Sequence, residues 1–387
     1  MTNSPIFWCC LAFCCIAHFA PDGAAQDRAN GEMLVYIGTY TGKGSEGIYV
    51  FRMNAEDGKL RERKLAAKTT HPSFLAIHPN KKFLYAVNET REFLGRKSTG
   101  GVTAFSIDQE GGALTRLGEQ LSKGGDPCHI TTDLAGKNVL VANHEDGNAS
   151  VLPILKNGNI GPATGFTQHS PGSVSGPPKN PRAHSINLDP MNKFVVVADK
   201  GVDKIMVYAF DGEKGAISPH STTGSSLARG SSPRHFAFHP SGQFAYVINE
   251  ANMTMTAFSY DAKRGVLTNL QTISTLGGET PKGGSTAHVE VHPSGKFLYG
   301  SNRGHDTIVV YTIAQDRGNL THVENEPIQG KTPRNFAVSP DGRFLLAAGQ
   351  NSNSIAVFSV NEDTGTLDFT GHRVECPNPV CVKFLAL

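Results

Sequence analysis

The sequence lacks the paired cysteines that a disulfide framework would need. Four of its seven cysteines fall within the first 15 residues, which leaves Cys128, Cys376 and Cys381. Three cysteines do not make such a framework. The stretch "CPNPVC" is spaced for a small Cys376–Cys381 loop in an oxidising compartment, and two free thiols are the alternative. CxxC and HExxH patterns are also missing, so the sequence predicts no zinc site.

An excess of charge of one sign is missing as well. The chain has 36 Lys and Arg against 34 Asp and Glu, a formal net charge of +2. Because no basic stripe is present, neither nucleic acid nor an anionic membrane surface is a predicted partner. No GxSxG elbow occurs, which argues against a serine nucleophile.

Long apolar runs are missing beyond the amino terminus. One run, residues 6–20, is followed by small residues that suit cleavage before Gln26. The run is short for a membrane span. We therefore expect residues 1–25 to be a secretory signal peptide and the mature chain, without transmembrane segments, to be periplasmic or secreted. No Lys or Arg precedes the run, so a cytoplasmic chain with a misassigned start is the alternative. A lipoprotein signal fits poorly, since a bulky residue precedes Cys14.

Glycine, proline and one repeated pattern are abundant. The chain has 42 glycines and 22 prolines, which favour tight turns over long helices. Two apolar strands joined by a turn recur throughout, as in "PRHFAFHPSGQFAYVINE" at residues 233–250. At intervals of about 50 residues, the turn position is occupied by Pro79, Leu134, Pro190, Pro240, Pro293 and Pro340.

Each hairpin is followed by a third alternating strand and a weaker fourth one. Four strands at this period are typical of a β-propeller. The C-terminal "PNPVCVKFLAL" has the pattern of an innermost strand, while "MLVYIGTYTG" and "GIYVFRM" supply second and third strands. We therefore predict an all-β fold over residues 31–387. It is a seven-bladed β-propeller with four antiparallel strands per blade, closed by pairing the N- and C-terminal strands in one blade.

The ionisable residues of the repeat gather at the open end of each hairpin. Inner strands begin and second strands end at the same mouth of the channel, so these residues should converge there. When the repeats are aligned, each column contains the equivalent residues of the blades. One column near the end of the second strand is nearly constant, which indicates a short polar side chain that stabilises a turn, here called a turn device: Asn88, Asn143, Asp199, Asn249 and Asn302. The next column differs in nearly every blade: Tyr40, Glu89, His144, Lys200, Glu250, Arg303 and Gln350. Such variation at one rim is what an asymmetric ligand site requires.

The first positions of the inner strands vary in the same way: Ser73, Cys128, His184, Arg234 and Arg334, with His129, His235 and His288 beside them. The connections between blades start and end at this rim. We therefore expect the loops at 169–180, 224–232 and 276–286 to lie on the face of His184 and Glu250 and to cover the pocket.

These motifs resemble the seven-bladed lactonase family, which contains the propeller-type 6-phosphogluconolactonases and the fungal carboxy-cis,cis-muconate lactonising enzyme. The resemblance rests on stretches such as "YIGTYTGKGSEGIYVFRM", "FLAIHPNKKFLYAVNE" and "AHSINLDPMNKFVVVADK", and it extends from about residue 34 to the C-terminus. It implies a catalytic site made of His184, Arg234, Glu250 and Arg303.

Hydrolysis of a lactone requires a base to activate water and positive charge near the developing oxyanion. His184 or Glu250 can supply the base, and the two arginines can supply the charge or hold an anionic group. We expect the flanking rim residues to contact the substrate: His288, His235, Lys200, Glu89 and His144. In the competing structural interpretation, Arg234 and Glu250 simply pair with one another.

Three functions are compatible with this pattern. The first is hydrolysis of a sugar lactone, like that of a 6-phosphogluconolactonase, by a monomer without metal or other cofactor. The second is a lactonising, cycloisomerase reaction on a carboxymuconate-like acid. The third is an exported propeller that binds a ligand or protein without catalysis. If the signal peptide is real, 6-phosphogluconolactone itself is not expected where the protein works.

Overall fold

A computed structural model of the chain describes Met1 and residues 31–42, 44–173, 176–220, 224–278 and 283–387. Residues 32–387 form one compact unit. It consists of β-strands and one 3-10 turn at Gln350–Ser352 among the described residues. Within those residues, no helix has the length and apolar character needed to cross a bilayer. The predicted signal peptide lies outside the described part of the chain.

Seven antiparallel sheets make up the unit, each on a path of four strands, and we number them as blades 1 to 7. From the inside outward, blade 1 comprises Leu75–Ile77, Phe83–Asn88, Gly101–Ile107 and Leu114–Leu121. Blade 2 comprises Pro127–Thr132, Asn138–Asn143, Asn148–Pro153 and Gly165–Gln168. Blade 3 comprises Ala183–Leu188, Phe194–Asp199, Lys204–Asp211 and Ala216–Pro219. Blade 4 comprises Pro233–Phe238, Phe244–Asn249, Thr254–Asp261 and Val266–Ser274. Blade 5 comprises Ser285–Val291, Phe297–Arg303, Thr307–Ile313 and Leu320–Pro327. Blade 6 comprises Pro333–Val338, Phe344–Gly349, Ser354–Val360 and Leu367–Glu375. Blade 7 comprises Pro379–Ala386, Glu32–Thr39, Gly47–Asn54 and Leu60–Lys68.

Two short additions decorate this plan. Ser225–Ser226 pairs with the third strand of blade 3. The ribbon of Glu92–Phe93 and Arg96–Lys97 is inserted between the second and third strands of blade 1.

Blade 7 closes the ring as predicted. Its inner strand is the C-terminal strand, which runs antiparallel to the N-terminal strand with Tyr36 opposite Lys383. The seven inner strands contact one another in ring order around a central channel. Pairing the two ends of the chain in one sheet completes the seventh blade and gives the N-terminal strand a partner on both sides.

The second strand of each blade lies between two neighbouring blades and is therefore largely buried, with polar residues confined to its ends. Phe244–Asn249 is buried along its whole length, whereas the outer strand Val266–Ser274 has exposed residues. Buried tyrosines in second strands also join adjacent blades. The Tyr246 hydroxyl donates a 3.1 Å hydrogen bond to the carbonyl of Gly318 in blade 5. Tyr85 does the same, at 3.1 Å, to Gly158 in blade 2.

The "HPSG" turns lie at one mouth of the channel, which we call the turn mouth. His239 Nε2 of blade 4 lies 2.8 Å from the carbonyl oxygen of Gly295 in the turn of blade 5. Gly295 has a φ of +73°, and a Cβ there would lie 2.8 Å from His239 Nε2. Only glycine allows this contact without strain. The repeated His-Pro-Ser-Gly sequence is therefore a device that joins blades.

The opposite mouth, where inner strands begin, is called the site mouth. Asn249 pairs with Pro233 and with Thr254, and Thr254 pairs with Ser274, so the fourth strand of blade 4 ends at this mouth. The connections between blades therefore lie on the face of Glu250, as predicted. Residues 174–175, 221–223 and 279–282 of these loops lie outside the described residues. The prediction of a turn device is also confirmed, since buried Asn302 donates to the loop carbonyl of Thr275 at 3.0 Å.

Cys376 and Cys381 are free, buried thiols. Cys381 packs into the core that blade 7 shares with blade 1, together with Leu75. Cys376 packs into the core that blade 7 shares with blade 6, together with Leu346. The two thiols therefore lie on opposite sides of the blade 7 sheet. Of the two alternatives, a Cys376–Cys381 loop or two free thiols, the structure has the free thiols.

Candidate active site

Two consecutive residues at the start of most inner strands point into the channel because the strand is bulged there. In blade 4 the register shifts between Pro233 and His235, and the same shift occurs in blades 2, 3 and 6. Neighbouring residues of a regular strand point to opposite faces. The bulge instead lets both Arg234 and His235 line the channel.

Glu250 is the centre of the charged cluster at the site mouth. Its Oε2 lies 2.8 Å from Lys200 Nζ and 3.0 Å from Arg234 Nε. Its Oε1 lies 3.3 Å from Arg303 Nη2. The three cations come from blades 3, 4 and 5, so one carboxylate joins three blades. Two predicted catalytic arginines and one predicted substrate-binding lysine are thus brought together on one predicted catalytic carboxylate.

Burial and charge act in opposite directions on these groups. Burial raises the pKa of Glu250, but Arg234, Lys200 and Arg303 lower it more, to about 2. Burial lowers the pKa of Arg234, which the nearby Arg334 and Arg303 lower further, to about 9. Burial also lowers the pKa values of Lys200 and Arg303. Glu250 is therefore ionised at any working pH and is a weak base while these cations surround it.

His184 lies beside this cluster, at the start of the inner strand of blade 3. Its ring is 5 % exposed, and it lies edge-on to His144 with ring centroids 5.4 Å apart. Burial lowers the pKa of His184 well below its usual value, and Arg234 and Lys200 lower it further. Burial also lowers the pKa of His144, to about 4. Both imidazoles are therefore neutral at pH 7.

Two residues of the predicted catalytic quartet have a buried polar atom without a partner. These atoms, His184 Nδ1 and Arg303 Nε, lack a hydrogen-bond partner among the described residues. Arg234 Nε and Glu250 Oε2, by contrast, face one another in the ion pair at 3.0 Å. A buried polar group without a partner costs about 1–3 kcal/mol. Such atoms are expected where a ligand supplies the missing partners.

A second polar cluster occupies the other half of the same mouth. The Tyr40 hydroxyl lies 2.8 Å from both carboxylate oxygens of Glu89 and accepts a 2.7 Å hydrogen bond from Arg334 Nη2. Ser73 donates to the same carboxylate. Burial raises the pKa of Tyr40, so its hydroxyl stays protonated. Glu89, a predicted substrate-binding residue, is thus held by two neighbouring side chains, Tyr40 and Ser73.

The two clusters meet at a narrow space within the channel. A cavity of about 10 Å³ lies between Arg234, Arg334, Glu89 and Cys128, which is the size of one water molecule. The inner residues of this mouth include four cations and two carboxylates, so their summed charge is positive. They are Lys200, Arg234, Arg303, Arg334, Glu89 and Glu250.

Two predicted substrate-binding histidines lie deeper in the channel. His235 contacts the ring of His184 with centroids 5.4 Å apart. Together with His288, it also lines a cavity of about 440 Å³ that opens at the turn mouth. The structure places His288 in that cavity, beside Glu290, and not beside Arg303. Among the described residues, no three His, Cys, Asp or Glu side chains form a group that would hold a metal ion.

Known proteins resemble this chain over nearly the whole propeller. Residues 34–384 match the family described as lactonase, 7-bladed beta-propeller. The chain belongs to this lactonase family. Among its relatives, the 6-phosphogluconolactonase of Bacillus subtilis is 34% identical over 351 residues, covering 90% of this chain and 97% of the relative. The 6-phosphogluconolactonase of Formosa agariphila is 33% identical over 309 residues, covering 78% of this chain and 85% of the relative.

Solved structures show the same family likeness. The periplasmic gluconolactonase of Pseudomonas aeruginosa superposes on this lactonase-family chain with a TM-score of 0.84 at 29% identity. The match covers 92% of this chain and 99% of that one. The chain thus shares its whole propeller with lactonases whose names specify different sugar lactones.

Sequence reasoning did not assign Arg334 and Tyr40 to the site. Arg334 occupies the column of Arg234, and Tyr40 occupies the column of Glu250. Both columns vary between blades. This variation identifies Arg334 and Tyr40 as site residues only once blades 1, 6 and 7 are placed around one mouth.

Proposed function

We propose that this chain hydrolyses a sugar lactone at the site mouth. His184 acts as the general base, and Arg234 and Arg303 stabilise the negative charge that develops on the carbonyl oxygen. Membership of the lactonase family supports the reaction class. The names of the relatives, 6-phosphogluconolactonase and gluconolactonase, support a sugar lactone as substrate.

The observation that carries the proposal is that Arg303 Nε and His184 Nδ1 are buried without a hydrogen-bond partner among the described residues. A carbonyl oxygen that becomes an oxyanion is the acceptor that the Arg303 donor requires. Arg234, which is held by Glu250 at 3.0 Å, adds positive charge beside it. His184 Nδ1, also without a partner in the described chain, leaves the imidazole free to take a proton.

His184 is a better candidate for the base than Glu250. The carboxylate is surrounded by three cations, and its pKa of about 2 makes it a weak acceptor of a proton. The neutral His184 imidazole takes the proton of the water that attacks the lactone carbonyl carbon. When the bond to the ring oxygen breaks, that oxygen receives the proton. In this scheme Glu250 orients the two arginines.

The charge of the mouth bears on the substrate. Four cationic side chains against two carboxylates favour a lactone with an anionic group, which arginines bind through paired hydrogen bonds. The apolar leader favours a mature chain that works outside the cytoplasm, where a neutral sugar lactone is the expected substrate. We therefore propose a sugar lactone as the substrate. The experiment compares a neutral lactone with its phosphorylated form.

The test is hydrolysis of glucono-δ-lactone and of its 6-phosphate by the purified mature chain, with and without a chelator. His184→Ala should lower kcat by about 100-fold or more. Arg303→Ala should weaken binding of the phosphorylated lactone more than binding of the neutral one. Gln350→Ala is a matched control, since Gln350 occupies the same rim column without a charge and should be nearly neutral. The proposal is wrong if the parent hydrolyses neither lactone, in which case a non-catalytic binding protein becomes the better interpretation. It is also wrong if His184→Ala retains the parent rate.

A further inference from the structure

Arg234 is connected to the turn mouth by a continuous row of side chains. Arg234 Nη1 lies 3.1 Å from His235 Nε2. His235 Nδ1 lies 2.8 Å from His288 Nδ1. His288 Nε2 lies 3.6 Å from the Glu290 Oε2 carboxylate oxygen. The row joins the site mouth to the cavity at the turn mouth through two imidazoles.

The two charged ends of the row require the same tautomers. A guanidinium only donates hydrogen bonds, so His235 Nε2 must accept from Arg234 and His235 Nδ1 must carry the proton. His288 Nδ1 then accepts, and the proton of His288 lies on Nε2, where the Glu290 carboxylate 3.6 Å away also favours it. The two hydrogen bonds of the row therefore donate in one direction, from Arg234 towards His288 and the negative Glu290.

The surroundings support neutral imidazoles in the row. Burial lowers the pKa of His235 well below its usual value, and Arg234 and His288 lower it further. Burial also lowers the pKa of His288, against the opposite effect of Glu290. Other ionisable groups that face the row are His129 and Lys383 at the larger cavity, Arg334 at the smaller one, and His184, whose ring centroid lies 5.4 Å from that of His235. The ring of His129 lies edge-on to that of His235 with centroids 5.3 Å apart.

We infer that Glu290 is a positioning residue, which fixes the orientation of Arg234 through the tautomers of His288 and His235. Arg234 Nη1 also donates to the Ala287 carbonyl at 2.5 Å. With two acceptors on Nη1, the Nε edge of the guanidinium is directed at Glu250 and the site mouth. Without the carboxylate, His288 can adopt either tautomer. His235 can then place an N–H against the guanidinium, which would turn Arg234 away from its position.

The inference deepens the proposed lactonase function and rests on it for its kinetic part. It predicts that a residue in a cavity at the far end of the channel affects turnover. Glu290 has no part in binding the substrate in this scheme, so its loss should affect kcat and not KM.

The first readout is nitrogen-15 NMR of histidine side chains in the full chain, with the His235 signals assigned by comparison with a His235→Gln variant. In the parent, His235 Nδ1 should be protonated and Nε2 unprotonated. In Glu290→Leu, this single-tautomer pattern should become a mixture. The inference is overturned if parent His235 is protonated on Nε2, or if Glu290→Leu leaves its tautomer unchanged.

The second readout is steady-state lactone hydrolysis. Glu290→Leu should lower kcat about tenfold, the effect of losing one hydrogen bond to a charged group, with KM nearly unchanged. Glu290→Gln keeps the Oε1 acceptor for the Val338 amide, 3.3 Å away, and should fall between parent and Glu290→Leu. Thr131→Val, on the wall of the same cavity but outside the row, is the control and should match the parent.

The two readouts separate the inference from the proposed function. A parent that hydrolyses no lactone contradicts the function, and the NMR result alone then decides the tautomers of the row. An altered tautomer with unchanged kcat in an active enzyme overturns the positioning role of Glu290. A folded Glu290→Leu variant in which KM rises while kcat is unchanged overturns it too, because it would make Glu290 a binding residue.

Discussion

Replacing Glu250 by Gln should destabilise the propeller at neutral pH, and the loss should fade as the pH falls. The Glu250 side chain is 20% exposed and is the common partner of three cations. Gln keeps the shape and removes the charge. Lys200, Arg234 and Arg303 then remain close together without their shared counter-charge, which is the costly arrangement for buried ions.

The magnitude follows from the pKa. A value of about 2 in place of 4.5 corresponds to about 3 kcal/mol of unfolding free energy. Because the pKa is lower in the folded state, this stabilisation is complete above pH 4.5 and is lost as the pH falls towards 2. More than half of it should be gone at about pH 3. At neutral pH, the melting temperature should fall by about 4 °C.

The assay is urea unfolding followed by circular dichroism at pH 7 and at pH 3. The one tryptophan, Trp8, precedes the propeller in the sequence, so circular dichroism is a more direct report on unfolding than tryptophan fluorescence. Glu213→Gln is the control, since Glu213 pairs with Lys137 but its side chain is 80% exposed. It should change stability by less than about 1 kcal/mol. If Glu250→Gln unfolds at the parent midpoint at pH 7, or if its deficit is the same at pH 3, the charged cluster does not stabilise the ring.

Two further predictions concern the pH profile and the closure of the ring. The acid limb of kcat/KM should have its midpoint below pH 6.5. The reason is that the pKa of His184 is lowered by burial and by its neighbours Arg234, Lys200, His144 and His235. Rates corrected for spontaneous hydrolysis would show this, and a midpoint above pH 6.5 would contradict it. Removal of residues 378–387 should abolish cooperative unfolding, since it deletes the inner strand of blade 7; a truncated chain that melts at the parent temperature would refute the closure.

The sequence was sufficient to predict the propeller because each blade carries its own copy of the pattern. The apolar second strand recurs in six repeats and the proline of the turn in five of them, so the exception at Leu134 does not obscure the period. The split blade was predictable for a different reason. The C-terminal strand and the strand at Glu32–Thr39 each lacked a partner, and one sheet accommodates both.

The site was only partly predictable. Columns identify which residues reach the site mouth, so the positions of Arg234, Glu250 and Arg303 follow from the repeat. The depth of each side chain does not follow, because it depends on the bulge at the start of the inner strand. The bulge turns His235 towards the channel, and His288 and Glu290 continue that row to the turn mouth. A pattern of period two cannot show such a shift.

Closure of the ring and assembly of the site are physically linked through Tyr40. This residue follows the N-terminal strand of blade 7, accepts a hydrogen bond from Arg334 of blade 6 and donates to Glu89 of blade 1. It therefore spans the junction at which the two ends of the chain meet. Arg334 in turn shares a small cavity with Arg234, so the charged cluster on Glu250 and the closing blade contact one another through two guanidinium groups. A change that loosens the C-terminal strand should consequently disturb the site mouth before the propeller unfolds.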